Sequence, residues 1–134
     1  MKVHRLGGVV EFKQGSIVPP TERSSFLASA LAQGAEVVIQ NEPHMTYRIR
    51  PERGVAAAVH FEGAKLRTVS WQFELPPDKE AVWSVEHELE RKQLHDDWLQ
   101  RELGDPPYWF PWGHLESNFD SKGCASAIIV TYAE

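Results

Sequence analysis

Six residues of a long predicted helix are of the types that bind metal ions. They are Glu86, His87, Glu90, His95, Asp96 and Asp97. On a helix, His87 and His95 lie about 80° apart around the axis and roughly 12 Å apart along it, so they cannot bind one ion together. Arg91 stands where the zinc-binding His-Glu-x-x-His motif needs its second histidine. The sequence therefore predicts no metal site.

The side chains that could act in catalysis form no recognisable motif. Cys124 follows Gly123 at the start of a predicted strand, without the lysine-rich or helix-terminal setting that lowers a thiol pKa. The nucleophile elbow, the phosphate-binding glycine loop and the dinucleotide fingerprint are absent, so no cofactor is predicted. Glu116 and Asp120 are the remaining candidates for an acid–base pair. A protein without catalytic activity is favoured.

Polar residues interrupt the apolar stripe that we expect to face the core on the long helix. The stripe is Val82, Val85, Leu89, Leu99 and Leu103, and it is interrupted by Lys92, Gln93 and Asp96. Buried polar groups need hydrogen-bond partners. The expected partners on the C-terminal hairpin are Trp112, Glu116 and Asp120. This polar junction is interpreted either as a network that ties helix to hairpin or as a small-ligand pocket.

A second stripe lies on roughly the opposite side of the same helix. It consists of Trp83, His87, Glu90, Leu94 and Trp98. In one interpretation the aromatic loop 108–113 folds over it and completes a local core. In the other, Trp83 and Trp98 are exposed in part and, together with Asp97 and Trp109, bind a partner protein.

Alternating and helical patterns predict an antiparallel α+β fold. Strands are predicted at 3–12, 36–40, 46–50, 55–62, 65–75, 115–119 and 125–132, and helices at 21–34 and 78–103. In the first strand, Gly7 and Gly8 are compatible with a bulge or bend. Thr21 and Asp78 are the expected helix caps, and Gly104 is the expected stop. Short turns imply antiparallel neighbours, so we expect six to seven strands with both helices packed on one face. The last strand is apolar on both faces and is expected in the sheet interior.

Size and charge restrict the class of protein. The 134 residues suit one domain, 1–134, with 42% hydrophobic and 25% charged residues. A single cysteine and an N-terminus without an apolar signal segment indicate a cytoplasmic protein. No apolar run reaches bilayer length. The net charge is −5, and residues 78–105 hold nine acidic and four basic side chains, so binding to nucleic acid is not expected.

The C-terminal half, from about residue 71 to 134, resembles a group of small bacterial proteins. The matching residues are Glu90-Arg91-Lys92, His95-Asp96-Asp97-Trp98-Leu99, Leu103-Gly104, Pro107-Tyr108, Trp112-Gly113, Ser117 and Asp120. Some members are similar to the immunity partners of polymorphic or secreted toxins. The resemblance implies a protein that binds a toxin, and it assigns no catalytic residues.

These observations lead to three functional hypotheses. The first is an immunity-type binding module that contacts a basic toxin through its acidic helix and aromatic loop. The second is an enzyme or ligand-binding protein with its site at the polar junction. The third is a homo-oligomer that buries Trp83, Leu94 and Trp98 against a second copy.

Overall fold

The computed structural model describes residues 1–133, and its main element is a seven-stranded antiparallel sheet. The strands of this sheet are β4 (Glu36–Asn41), β5 (His44–Glu52), β6 (Val55–Glu62), β7 (Lys65–Phe73), β8 (Tyr108–Phe110), β9 (Gly113–Asp120) and β10 (Ala125–Tyr132). Their spatial order is β4-β5-β6-β7-β10-β9-β8. The predicted α+β class is confirmed, and the last strand lies in the sheet interior as expected.

A second layer covers one face of this sheet. It contains a small sheet of β1 (Lys2–Val3), β2 (Val10–Phe12) and β3 (Gly15–Ile17), and the helices α1 (Arg23–Leu27) and α3 (Val85–Leu103). Phe12 packs edge-to-face on Trp71 with ring centroids 6.1 Å apart. Phe26 of α1 contacts Tyr47 and Phe61. Alternate residues of each central strand point into the core between the two layers.

The N-terminal third differs from its prediction. The strand expected at 3–12 is a hairpin in which Val3 pairs with Val10, because Gly7 and Gly8 both adopt positive φ and turn the chain. The helix expected at 21–34 is reduced to α1 and a 3₁₀ turn, Ala30–Ala32. Ser29 donates its hydroxyl proton to the Phe26 carbonyl at 2.6 Å, a local bond typical of a helix end.

The long helix begins later than predicted. Residues Pro77–Glu80 form the separate short helix α2, and α3 starts at Val85. The cap of α3 is Ser84, whose hydroxyl accepts the His87 N–H at 3.0 Å, so Asp78 does not have the predicted role. The predicted end at Leu103 is confirmed, with Gly104 at φ 82°. No helix among residues 1–133 is long and apolar enough to cross a membrane.

The face of α3 that packs on the sheet is not the predicted apolar stripe. Its buried residues are Glu88, Arg91, His95, Leu99 and Leu103. Val82, Val85 and Leu89 are exposed instead. Leu99 and Leu103 were correctly expected in the core, but the N-terminal half of the buried face is polar. Its polar side chains bond to the sheet, which offsets part of the cost of burying them.

Candidate functional site

A buried ion pair attaches the first half of α3 to the sheet. Glu88 and Arg91 are buried and three residues apart, with 3.3 Å between Arg91 Nε and each carboxylate oxygen. The Glu88 carboxylate also accepts the Ser126 N–H at 3.0 Å, and the Ser126 hydroxyl donates to the Glu88 carbonyl at 2.7 Å. These bonds fix α3 against β10.

The same network reaches the end of β7. Arg91 Nη1 donates to the Phe73 carbonyl at 2.6 Å, and Nη2 pairs with Glu80 of α2. Glu80 also accepts the Leu75 N–H at 3.0 Å. Burial raises the pKa of Glu80, but the hydrogen bonds from Leu75 and Arg91 outweigh it and hold this pKa below its usual value. Burial lowers the pKa of Arg91, but its carboxylate partners outweigh burial and raise this pKa above its usual value. Glu80 and Arg91 are therefore both ionised at neutral pH.

His95 completes the polar face of α3. Its ring is fully buried, and Nε2 accepts the Phe73 N–H at 3.1 Å, which places the proton of the neutral ring on Nδ1. Nδ1 has no partner among the described residues. Burial, with a smaller effect from the charge of Arg91, lowers the pKa of His95 to about 4. The imidazole is a neutral structural group.

This polar network was not predicted from the sequence, although the spacing of its residues contained a signal. Positions 88, 91, 95, 99 and 103 follow one another at intervals of three or four and include both buried leucines. The predicted core-facing stripe was chosen by apolar residue type alone. That criterion included Val85 and Leu89, which project to the flank of the helix.

A cavity of about 620 Å³ lies between α3, the segment before β8, and β9. The residues that line it include Lys92, Asp96, Leu99, Pro107, Glu116 and Ser117. Lys92 pairs with Asp96 at 3.0 Å on the helix wall. The volume is within the range of roughly 300–1,000 Å³ that is usual for small-ligand pockets. Three of the five predicted junction residues, Lys92, Asp96 and Glu116, thus border one cavity, although the register of β9 directs the Glu116 side chain to the face of the sheet away from α3.

The other two junction residues lie elsewhere. Trp112 stacks on Phe110 with centroids 5.0 Å apart, and its Nε1 donates to the Arg5 carbonyl at 2.7 Å, beside the small sheet. Asp120 accepts the Lys122 N–H at 3.0 Å in the β9–β10 turn. The expected partnership of the helix with Trp112 and Asp120 is therefore wrong, because Lys92 and Asp96 satisfy each other.

Glu116 and Asp120 are also too far apart for an acid–base pair. They are four residues apart on β9, or about 13 Å along the strand. Paired catalytic carboxylates lie at most about 9.5 Å apart in glycoside hydrolases. Cys124 is half-buried in the turn, where Sγ contacts the Ser121 carbonyl at 3.5 Å. Among residues 1–133, no three His, Cys, Asp or Glu side chains form a group that could hold a metal ion.

β9 has a free edge beyond Leu115. Its last pair with β8 is Tyr108 with Leu115, because Pro106 and Pro107 precede Tyr108 and cannot donate to a ladder. The Trp112 carbonyl accepts the Ala133 N–H at 2.8 Å, so the even-numbered residues of β9 direct their backbone groups towards β10. The N–H and C=O groups of Ser117 and Phe119 therefore point away from β10, to the side that β8 no longer covers.

The residues predicted to bind a partner do not form one surface. Trp98 is half-buried and packs on Trp71 at 5.9 Å and on Phe73 at 5.6 Å, so it belongs to the core. Trp109 is 69% exposed and packs against His114 with tilted rings whose centroids lie 4.6 Å apart. Trp83 is 62% exposed, and its Nε1 donates to the Cys124 carbonyl at 3.2 Å.

The two exposed tryptophans lie near opposite ends of β9. Trp109 contacts the strand at His114, whereas Trp83 bonds to the turn that follows Asp120. Six residues of strand correspond to about 20 Å. The interpretation that the loop 108–113 covers Trp83 is therefore wrong. The outer side of α3 carries the remaining residues that were predicted to bind a partner, which are His87, Glu90, Leu94 and Asp97. Glu90 forms an ion pair there with Lys79 at 2.5 Å.

Exposed apolar residues gather at the start of α3. Val82, Trp83, Val85 and Leu89 are 60%, 62%, 40% and 49% exposed. Val85 and Leu89 project about 40° apart, on the same flank as Lys92 and Asp96 of the cavity. We use the name α3–β9 surface for the continuous area formed by Trp83, Val85 and Leu89, the cavity, and the free edge at Ser117 and Phe119. It runs along β9 from its turn towards its start.

Comparisons with protein-family models, curated proteins and solved structures found no match to this chain. The resemblance of the C-terminal half to small bacterial proteins, some of them similar to immunity partners, stays a prediction. Function is therefore inferred from the geometry of the α3–β9 surface.

Proposed function

We propose that this chain is a non-enzymatic binding protein that neutralises a toxin by direct contact, as immunity proteins do. The observation that supports this most is the group of exposed apolar side chains on the α3–β9 surface, Trp83, Val85 and Leu89. Contiguous exposed apolar residues mark interaction sites on soluble proteins. Tryptophan in particular is enriched among the residues that dominate binding energy.

The charge around this surface favours a basic partner. The acidic excess of residues 78–105 equals the whole net charge of −5. Glu86, Glu90 and Asp97 are exposed on α3. An apolar centre with a charged rim combines slow dissociation with electrostatic steering. A basic toxin, such as a nuclease domain, is the partner that this charge attracts.

The contact is tested by surface plasmon resonance against the product of the neighbouring gene. Trp83→Ala and Leu89→Ala are expected to speed dissociation about 10- to 30-fold, the effect of losing a buried anchor. Leu6→Ala is the matched control, because Leu6 is 90% exposed but lies in the N-terminal turn. Equal dissociation rates for Leu89→Ala and Leu6→Ala would contradict the assigned surface.

The biological role needs a separate measurement. Expression of the neighbouring gene alone should arrest growth, and co-expression with this chain should restore it. A neighbouring product that binds but is harmless alone would exclude the immunity role.

The cavity supports a second candidate, the binding of a small molecule at the polar junction. Thermal unfolding in the presence of free amino acids and dipeptides tests it. A midpoint raised by several degrees by one of them, and lost in Leu99→Trp, which would fill the cavity, would favour this alternative.

A further inference from the structure

We propose that the partner inserts an extended segment as an additional strand on the free edge of β9, over the cavity beside α3. This inference rests on the proposed binding function and specifies how the partner is recognised. The occupant is a peptide segment of another protein in which a small apolar residue and a basic residue alternate.

The backbone of β9 offers the hydrogen bonds that such a strand needs. Ser117 and Phe119 direct their N–H and C=O groups to the open side of β9, where the pairing with β8 has already ended. Exposed strand edges are templates for the addition of another chain. An extended peptide bound in this way gains affinity from the ladder and specificity from alternate side chains.

The cavity lies where β8 would have continued. It is lined by Pro106 and Pro107 on one side and by Ser117 on the other, with α3 above. The Ser117 Oγ is buried and has no partner among the described residues. A buried hydroxyl beside unpaired backbone groups is a site where a bound segment supplies the missing bonds.

The alternation of side chains along the edge determines the sequence preference. Ser117 faces α3, since it pairs across the sheet with the buried Ile128, so a docked residue opposite Ser117 points into the cavity near Leu99. Glu116 points to the other face, is exposed, and forms no ion pair among the described residues. A docked residue opposite Glu116 lies on that face, where a lysine or arginine gives a favourable cross-strand pair.

The opposite edge of the sheet lacks these features and is a natural control. β4 is exposed along its whole length, but its pairing with β5 shifts register between Val37 and Ile39. A bulge of this kind disrupts the ladder and blunts an edge against strand addition. Both edges carry free backbone groups, yet only β9 borders the cavity.

The first experiment selects peptides from a random heptapeptide library displayed on phage, with the full chain as bait. The selected peptide is then synthesised, and amide hydrogen exchange is measured by NMR. At a peptide concentration about ten times Kd, exchange at Ser117 and Phe119 is expected to slow about tenfold. The Asn118 amide should not change, because it already bonds to β10, and the β4 amides should not change either.

Two outcomes would overturn strand addition at β9. One is that no peptide is enriched, and the other is that the selected peptides protect amides elsewhere, for example at Val38. Ser117→Pro removes the edge N–H and should reduce binding at least tenfold, whereas Val38→Pro on β4 should not. The exchange measurement uses the parent chain, so a misfolded proline variant leaves the test intact.

Repeating the exchange measurement in the complex with the neighbouring gene product separates this inference from the proposed function. A complex that leaves Ser117 and Phe119 unprotected would refute strand addition while the binding function stands. If the selected peptide slows exchange at these amides but the gene product forms no complex, strand addition at β9 is supported and the assigned partner is refuted.

Discussion

The buried charges Glu88 and Arg91 explain how a helix with a polar inner face holds its position. Desolvation of an ion pair is costly, and the attraction between the charges compensates for it only when the remaining donors and acceptors are bonded. Here Ser126 and Phe73 supply those bonds from two different strands. The pair therefore fixes where α3 lies rather than adding a large net stability.

Removing one member of this buried pair should destabilise the fold much more than removing one member of a surface pair. We expect Glu88→Ala to lower the free energy of unfolding by about 3–5 kcal/mol, since Arg91 stays buried with less compensation. Asp96→Ala should cost less than about 0.5 kcal/mol, because Lys92 and Asp96 are 33% and 39% exposed. Urea unfolding of both variants measures the difference, and a larger loss in Asp96→Ala would contradict this ranking.

His95 should make stability depend on pH. Its pKa is lowered to about 4 in the fold, so between pH 6.5 and about 4 the unfolded chain binds more protons, and stability falls as the pH falls. The limiting loss is about 3 kcal/mol. His60, whose pKa is also lowered by burial, acts in the same direction.

The difference between parent and His95→Gln isolates the contribution of His95. Glutamine can still accept the Phe73 N–H but does not titrate. Urea unfolding between pH 7 and pH 4.5 should show a shallower pH slope in the variant. Equal slopes would show that His95 is not the group responsible.

At the level of elements, a local cap and a tertiary contact together set the start of α3. Asp78 and Ser84 are both residue types that favour helix N-termini. The sequence could not decide between them, because the choice depends on Glu80 and Arg91 meeting in the tertiary structure. The end at Gly104 was predictable, since a glycine followed by Asp105-Pro106-Pro107 stops a helix whatever surrounds it.

The observed cap leads to a matched pair of substitutions. Ser84→Ala removes the hydroxyl that accepts the His87 N–H and should cost about 1 kcal/mol. Asp78→Ala lies in α2, away from the start of α3, and should change stability by less than about 0.5 kcal/mol. Thermal unfolding measures the stability lost in each variant. A larger loss in Asp78→Ala would support the longer helix predicted from the sequence.

The small sheet is attached to the C-terminal hairpin at Gly8. The Tyr132 hydroxyl donates to the Gly8 carbonyl at 2.9 Å, and a Cβ at Gly8 would lie 2.5 Å from the Trp112 ring. Gly7 has a similar positive φ but open space around it. We expect Gly8→Ala to cost about 1–3 kcal/mol more than Gly7→Ala, measured by denaturant unfolding. Equal costs would mean that backbone conformation alone matters there.

At the scale of the whole molecule, the strand patterns predicted the sheet and the charge pattern predicted its acidic side. In the strand predicted at 65–75, Val69, Trp71 and Phe73 alternate with polar residues, and the structure buries Val69 and Trp71 and half-buries Phe73. The candidate site was less predictable. Lys92, Asp96 and Glu116 border the cavity, but Trp112 and Asp120 do not, because Trp112 bonds to the Arg5 carbonyl and Asp120 bonds within the β9–β10 turn, contacts that no sequence pattern indicates.

The acidic excess of residues 78–105 should affect the rate of association with a partner more than it affects stability. Asp97 is exposed on α3 and accepts a hydrogen bond from Gln93 at 2.9 Å. Glu42 is exposed at the opposite edge of the sheet, in the turn between β4 and β5. Asp97→Lys and Glu42→Lys therefore change the net charge equally at different distances from the α3–β9 surface.

We expect Asp97→Lys to slow association with the neighbouring gene product roughly two- to fivefold at low salt and Glu42→Lys to slow it less. The difference should disappear near 1 M salt, where the Debye length is about 3 Å. Association rates measured by surface plasmon resonance at both salt concentrations test this role of charge position. Equal slowing by the two variants would show that the net charge, and not its position, steers the partner.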